Sequence, residues 1–304
     1  MNEATFSIGL VQASCQPNAD VNRALAYQGI RTAAERGAQI ICLQELFASQ
    51  YFCQIEDTDC FDLAETIPGP STEQSVALAK ELEVVLVVPV FERRAPGLYH
   101  NSAVVIDATG ELLGVYRKMH IPDDPQYFEK FYFTPGDLGY QVFATRFAKV
   151  GVLICWDQWF PEASRLTALK GADVIFYPSA IGWVSDDREK LGQAQREAWR
   201  TVQQGHAISN GVYVATVNRV GHEGDKANGL QFWGQSFVCD PTGRLLTVAS
   251  DTQDEVLVAT CSRDVLDTQR RSWPFLRDRR IESYTGLTER YLDFPDAGPT
   301  DTTG

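Results

Sequence analysis

The sequence predicts an α/β fold: a four-layer α-β-β-α sandwich with an internal pseudo-twofold duplication. Three observations carry that prediction. Short apolar runs of strand length alternate with stretches whose apolar residues recur at helical spacing. Two pairs of segments also recur at nearly one offset. Gly37-Ala38-Gln39-Ile40-Ile41 has its counterpart 134 positions on in Gly171-Ala172-Asp173-Val174-Ile175, and Ala108-Thr109-Gly110-Glu111-Leu112-Leu113 has its counterpart 133 positions on in Pro241-Thr242-Gly243-Arg244-Leu245-Leu246. Finally, a half built this way covers one sheet face with helices and leaves the other bare, so two sheets must stack to bury it.

The first half begins with a strand that alternates Phe6, Ile8 and Leu10. Apolar residues at 21, 24, 25, 30, 33 and 34 then describe one face of a helix over 19–36, which Gly37 closes as a C-cap. A buried strand over Ile40 to Leu43 follows, with Gln44-Glu45 at its end. The pattern continues with a helix near 72–82, a β-branched strand over 84–91, a strand over 101–107, a turn at 108–110 and a strand over 112–117. The second half repeats this order. Strands are expected over 149–155, 173–177, 212–217 and 235–239, and helices over 161–170, which opens on proline, and 188–210. The connection at 145–149 is too short to separate independent units. Residues 1–270 are therefore expected to form one domain and 271–304 a C-terminal extension packed in an oligomer interface.

Composition narrows the function. A formal net charge of −13 argues against nucleic acid and anionic membranes, which call for a basic face. It suits a neutral or cationic small molecule. The basic cluster Arg270, Arg271, Arg277, Arg279 and Arg280 is interleaved with Trp273, Phe275 and Asp278, a pattern suited to a subunit contact. Seven cysteines, an odd number without a CxxC pair, point to reduced thiols in the cytoplasm. Four histidines, none at i, i+4 spacing, give no support for a metal site, and no metal or cofactor is expected. The N-terminus carries an acid where a signal peptide would carry positive charge, and no apolar run reaches the ~20 residues that span a bilayer.

Three residues with reactive side chains fall at the carboxyl ends of expected strands, the edge where open α/β sheets bind ligands. Cys155 ends the run Gly151-Val-Leu-Ile-Cys155 and precedes a helix. A thiol near a helix N-terminus and a lysine has its thiolate favoured. Glu45, flanked by Leu43, Leu46 and Phe47, stands in an apolar setting suited to proton transfer. Lys118 places a positive charge where, with the backbone N–H near Trp156, it would meet the oxyanion formed when a thiolate attacks a carbonyl. Each residue alone has an ordinary alternative: a core cysteine, a strand-end glutamate, a solvated lysine.

Together the segments Leu43-Gln44-Glu45-Leu46-Phe47, Tyr116-Arg117-Lys118-Met119-His120-Ile121-Pro122 and Ile154-Cys155-Trp156-Asp157-Gln158-Trp159-Phe160-Pro161-Glu162 resemble, in order, the three motifs of the nitrilase, or carbon-nitrogen hydrolase, superfamily. The resemblance covers roughly residues 5 to 265. It implies the sandwich fold and assigns Glu45 as general base, Lys118 as oxyanion stabiliser and Cys155 as nucleophile. Glu129, in Phe128-Glu129-Lys130-Phe131, is similar to the family's second glutamate beside the lysine.

The segments 120–125, 129–137, 155–159 and 177–182 are similar to the N-carbamoylputrescine amidohydrolase branch. This implies conversion of N-carbamoylputrescine to putrescine, carbon dioxide and ammonia. Substrate contacts are then expected from Tyr51, His120, Trp156, Ser179, Ala180, Asp123 and Asp187, with Asp124, Asp186 and Trp183 as further candidates. Gly182-Trp183-Val184-Ser185-Asp186-Asp187 lacks a glutamate found in plant-like members, which leaves the amine preference open. An aliphatic or ω-amidase, an N-carbamoyl amino acid hydrolase and a catalytically silent binding protein on the same fold are the competing readings. The resemblance further implies a homo-oligomer, a dimer or a larger even number.

Overall fold

A computed structural model describes residues 4–184 and 191–293. The first half runs β1 (Thr5–Gln12), α1 (Ala19–Glu35), β2 (Ile40–Leu43), α2 (Pro70–Leu82), β3 (Val85–Ala95), β4 (Leu98–Ile106) and β5 (Leu112–Arg117). A single turn, α3 (Glu129–Tyr132), and β6 (Val142–Ala144) lead into the second half. That half comprises β7 (Lys149–Val152), α4 (Pro161–Leu169), β8 (Val174–Pro178), α5 (Gly192–Asn210), β10 (Tyr213–Val217), β13 (Phe237–Cys239) and β14 (Leu245–Val248). β15 (Glu255–Ser262) and α6 (Arg263–Ser272) follow, and β9 (Gly182–Val184), β11 (Val220–Glu223) and β12 (Leu230–Trp233) make a small third sheet.

The duplication is explicit in the strand order. One sheet reads β15-β1-β2-β3-β4-β5 and the other β14-β13-β10-β8-β7-β6. β1, β2 and β3 are parallel with β4 and β5 antiparallel, and β7, β8, β10, β13 and β14 repeat that arrangement. The repeated turns also share backbone geometry, with φ of 87° at Gly37 and 93° at Gly171, and 84° at Gly110 and 81° at Gly243.

Both faces of the first sheet are buried, which is why its strands read as continuous apolar runs. Ile8, Leu10, Ile40, Cys42, Val85, Val87, Ala103 and Val105 point into the core shared with Val150, Val152, Val174 and Phe176 of the second sheet. The alternate residues Val11, Ile41, Leu43, Leu86, Val88, Val104 and Ile106 meet Ala26, Ile30 and Ala33 of α1 and Leu78 and Ala79 of α2. The layers are therefore helices, sheet, sheet, helices. No described helix is long and apolar enough to cross a membrane.

Most expected boundaries fall within a few residues of those observed, and the departures have local causes. The strand expected over 84–91 runs on to Ala95, because β3 continues into a hairpin with β4 closed around Gly97. The strand expected to reach Cys155 stops at Val152, because Cys155 opens a 3-10 turn, Cys155–Trp159. The helix expected from 188 is seen from Gly192, its first residues lying outside the described part of the chain. The third sheet was not expected, since its strands are only three or four residues long.

Candidate active site

Chain reversal after three strands, with one helical turn, brings the site together. Glu45 follows β2, Lys118 follows β5, Cys155 follows β7, and Glu129 opens α3. Lys118 Nζ lies 2.8 Å from Glu45 Oε1 and 2.6 Å from Glu129 Oε2, all three side chains being at most 1% exposed. Lys118 continues the β4 pairing by donating its N–H to the Asn101 carbonyl, while the Asn101 side chain donates to Glu45 Oε1 at 2.7 Å. Tyr51 OH donates to Glu129 Oε1 at 2.7 Å. Glu45 Oε2 is left without a hydrogen-bond partner, an acceptor free to receive a proton.

Cys155 is buried and has φ of 41°, a left-handed conformation that a non-glycine residue keeps only when its surroundings impose it. Asp157 is one such constraint. Its carboxylate accepts from Ile154 N at 2.8 Å, Tyr116 OH at 2.6 Å and His120 N at 3.0 Å, and pairs with His120 Nδ1 at 2.7 Å. Gln158 is a second, its carbonyl meeting His206 Nε2 at 2.8 Å and its side-chain oxygen accepting from Trp199 Nε1 at 2.8 Å. The thiol is thus presented by a turn tied down on both sides.

Electrostatics set the protonation states. Burial alone would lower Lys118, but the charges of Glu129 and Glu45 reverse this and hold its ammonium well above the usual range. With all three groups ionised the cluster carries an excess negative charge in a water-poor site. Burial, against the pull of Lys118 and helped by Glu45, lifts Glu129 to about 7. Burial also pushes the Cys155 thiol well above its ordinary value, and the Glu45 and Glu129 charges add to the effect while Lys118 and a backbone hydrogen bond from Ala180 oppose it. Burial, with the Glu45 and Glu129 charges adding to it, therefore favours the thiol over the thiolate that the sequence suggests.

The site opens onto a cavity of about 530 Å³ lined by Glu129, Cys155, Trp156, Trp159, Tyr127 and Trp233 among others, with Asp124 and Pro125 also on its wall. Of the residues expected to contact substrate, Trp156 lines this cavity and Ala180 bonds to Cys155 through its backbone. Tyr51 sits behind Glu129. His120 is turned onto Asp157 and stacks on Phe160, the ring centroids 3.7 Å apart. Ser179 is fully buried against Tyr177 and Gln158. Trp183 is buried and donates its ring N–H to Gly192. Asp123 is exposed, whereas its neighbour Asp124 lines the cavity. Asp186 and Asp187 lie outside the described residues.

Sequence reasoning passed over Asn101 and Asp157. Asn101 was detectable, since it stands in phase with Ala103 and Val105 on the inward face of β4, where a polar side chain needs a buried partner. Tyr127, Trp159 and Trp233 carried no comparable signal.

A doubled α-β-β-α sandwich that gathers a cysteine, a lysine and a glutamate at its strand ends, with a second glutamate from a helical turn, is the architecture of a thiol-dependent hydrolase. The chain belongs to the carbon-nitrogen hydrolase family, which it matches over residues 7–271, and it is a carbon-nitrogen hydrolase. It is similar to the N-carbamoylputrescine amidase of Solanum lycopersicum, with 45% identity over 92% of this chain and 94% of that protein. A citrullinase of Francisella tularensis is 41% identical over 95% of this chain and 100% of the relative. The crystal structure of a carbon-nitrogen hydrolase from Helicobacter pylori superposes with a TM-score of 0.91 at 44% identity, covering 95% of this chain and 100% of the other.

Proposed function

We propose that this chain hydrolyses the terminal carbamoyl group of a short cationic amine, N-carbamoylputrescine, to putrescine, carbon dioxide and ammonia. The observation that carries the reading is the Lys118 ammonium held between two buried carboxylates beside a buried thiol, at the base of an aromatic cavity. Glu45 takes the Cys155 proton as the sulfur attacks the carbamoyl carbon, so a thiolate exists only as the bond forms. Lys118 and the Trp156 backbone N–H stabilise the oxyanion. The intermediate collapses with loss of ammonia, which receives the proton from Glu45, and leaves a thiocarbamate on Cys155. Water, deprotonated by Glu45, displaces the sulfur as the carbamic acid is released, the proton on Glu45 returns to Cys155, and the carbamic acid breaks down to the amine and carbon dioxide. Glu129 keeps Lys118 in place.

The far end of the substrate sets the choice among carbamoyl compounds. Asp124 and the faces of Trp156, Trp159 and Tyr127 suit a methylene chain ending in an ammonium. Among the described residues lining the cavity there is no arginine or lysine to receive a carboxylate, which weighs against carbamoyl amino acids and ω-amides. The exposed Trp273, Phe275, Ile281 and Leu287 support burial of the C-terminal extension in an even-numbered homo-oligomer. The seven free thiols support a cytoplasmic location.

The test is ammonia release from N-carbamoylputrescine, citrulline, N-carbamoyl-β-alanine and α-ketoglutaramate, with intact-mass detection of the adduct on Cys155. Fastest turnover and a trapped thiocarbamate are expected with N-carbamoylputrescine. A preference for either carboxylate-bearing carbamoyl compound, or an adduct on another residue, would overturn the assignment.

A further inference from the structure

The loop that carries Glu45 is held by one buried ion pair from the other half of the molecule. Arg219, fully buried between β10 and β11, donates from Nη2 to the carbonyls of Glu45 at 2.6 Å and Leu46 at 3.1 Å. Its Nη1 donates to the Ser49 carbonyl at 3.2 Å and to both Glu223 carboxylate oxygens, at 2.9 and 3.1 Å. Glu223 Oε2 in turn accepts the Tyr51 backbone N–H at 2.6 Å. The guanidinium also stacks over Phe232, 5.3 Å from the ring centroid.

These contacts are aimed at one short stretch of main chain. Residues 45–51 begin with a carboxylate on Lys118 and end with a tyrosine on Glu129, so the loop connects to both carboxylates of the site. Leu46, inside it, has φ of 51°, a conformation that an apolar residue adopts when its neighbours fix it. A guanidinium has the forked geometry to serve three carbonyls and a carboxylate at once, which an ammonium lacks. An ion pair kept only for stability could be buried among apolar side chains equally well. This one spends its donors on the loop between the two carboxylates.

We propose that Arg219 and Glu223 are positioning residues that set the orientation of Glu45 directly and of Glu129 through Tyr51. The inference rests on Glu45 being the base. Their loss lowers turnover, not substrate binding, because neither touches the cavity.

Arg219→Lys keeps the charge balance and loses the fork, and Glu223→Gln keeps an acceptor for Tyr51 and loses the charge. For each folded variant, kcat and KM for N-carbamoylputrescine are measured together with the rate at which iodoacetamide alkylates Cys155 at pH 7. The expected result is a fall of at least about tenfold in kcat, a parallel fall in alkylation, and KM within about threefold of the parent. A folded Arg219→Lys protein with parental kcat and alkylation overturns the proposal, as does a loss confined to KM. Failure of both variants to fold also overturns it, making the pair a determinant of stability. Glu45→Gln is the control: if it turns over normally the base assignment is wrong, whereas if it is inactive and Arg219→Lys is normal, only the positioning role is lost.

Discussion

The two halves of the molecule share a strand order, turns with matching φ and even a matched glycine, yet they place different residues at equivalent strand ends. Gly9 pairs with Ile41 across β1 and β2, as Gly151 pairs with Ile175 across β7 and β8. In that register Ala13 after β1 corresponds to Cys155 after β7, and Glu45 after β2 to Ser179 after β8. Lys118 after β5 corresponds to Asp251 after β14, which is exposed and paired with Arg196. One half supplies the charges and the other the thiol. The repeated backbone fixes where strand ends arrive, and a handful of substitutions there decide what the ends can do.

The sharpest way to break this comparison is to alter the equivalent pair. Glu45→Gln removes the proposed proton acceptor while keeping its size, and kcat is expected to fall by about 10² to 10⁴. Ser179→Ala deletes a hydroxyl bonded, among the described residues, to Tyr177 and Gln158, and kcat is expected to stay within about threefold, with about 1 kcal/mol lost in stability. Steady-state ammonia release and denaturant titration of both variants check this. Equal losses in the two would mean that the end of β8 also takes part in the chemistry.

A smaller effect separates the halves by pH. Among the described residues it is the α3 extension of the first half that buries a carboxylate raised to about 7, Glu129, from an ordinary value of 4.5. The folded protein therefore holds a proton there that the unfolded chain has already released between pH 4.5 and 7. The Glu129 contribution to stability is complete below pH 4.5 and lost as pH rises through 7. Glu129→Gln should flatten that part of the profile, measured as the denaturation midpoint from pH 5 to 8. An unchanged slope in the variant would move the titration to another group.

Much of this was legible in the chain because the signals were local or periodic. Apolar runs buried on both faces gave the strands, Gly37 gave a helix end, and the two nearly equal offsets gave the duplication. Glu45, Lys118 and Cys155 were reachable because each falls at the carboxyl end of an expected strand, whereas Glu129 came only from the family resemblance. What escaped depends on distant parts of the fold. Nothing near Asn101 in sequence shows that it bonds Glu45, and nothing near Arg219 shows that its guanidinium ends on the carbonyls of residues more than 170 positions away. The upward push on the Cys155 thiol combines its burial with two carboxylates and an ammonium from two strand ends and a helical turn, and inspection of its own motif could not supply that combination.

The matched glycines offer the finest test of the duplication. Each lets a helical connection close onto its sheet, and neither has a left-handed backbone, so a methyl group would be resisted by contact alone. At Gly151 an added Cβ would stand 2.3 Å from Thr167 Cγ2 on α4, whereas at Gly9 it would stand 2.8 Å from Ala38 Cβ and 3.1 Å from Ala33 Cβ. Gly151→Ala should cost about 1 to 3 kcal/mol by overpacking while the folded enzyme keeps its kcat. Thr167→Ser removes the offending methyl and preserves the hydroxyl bond to the Ala163 carbonyl, so the double variant should recover most of the loss in denaturant titration. Gly9→Ala meets two alanine methyls and an isoleucine at once, and trimming Ala38 to glycine should return only part of its deficit. If Gly151→Ala, Thr167→Ser were as unstable as Gly151→Ala alone, the glycine would owe its place to something other than the closeness of α4 to β7.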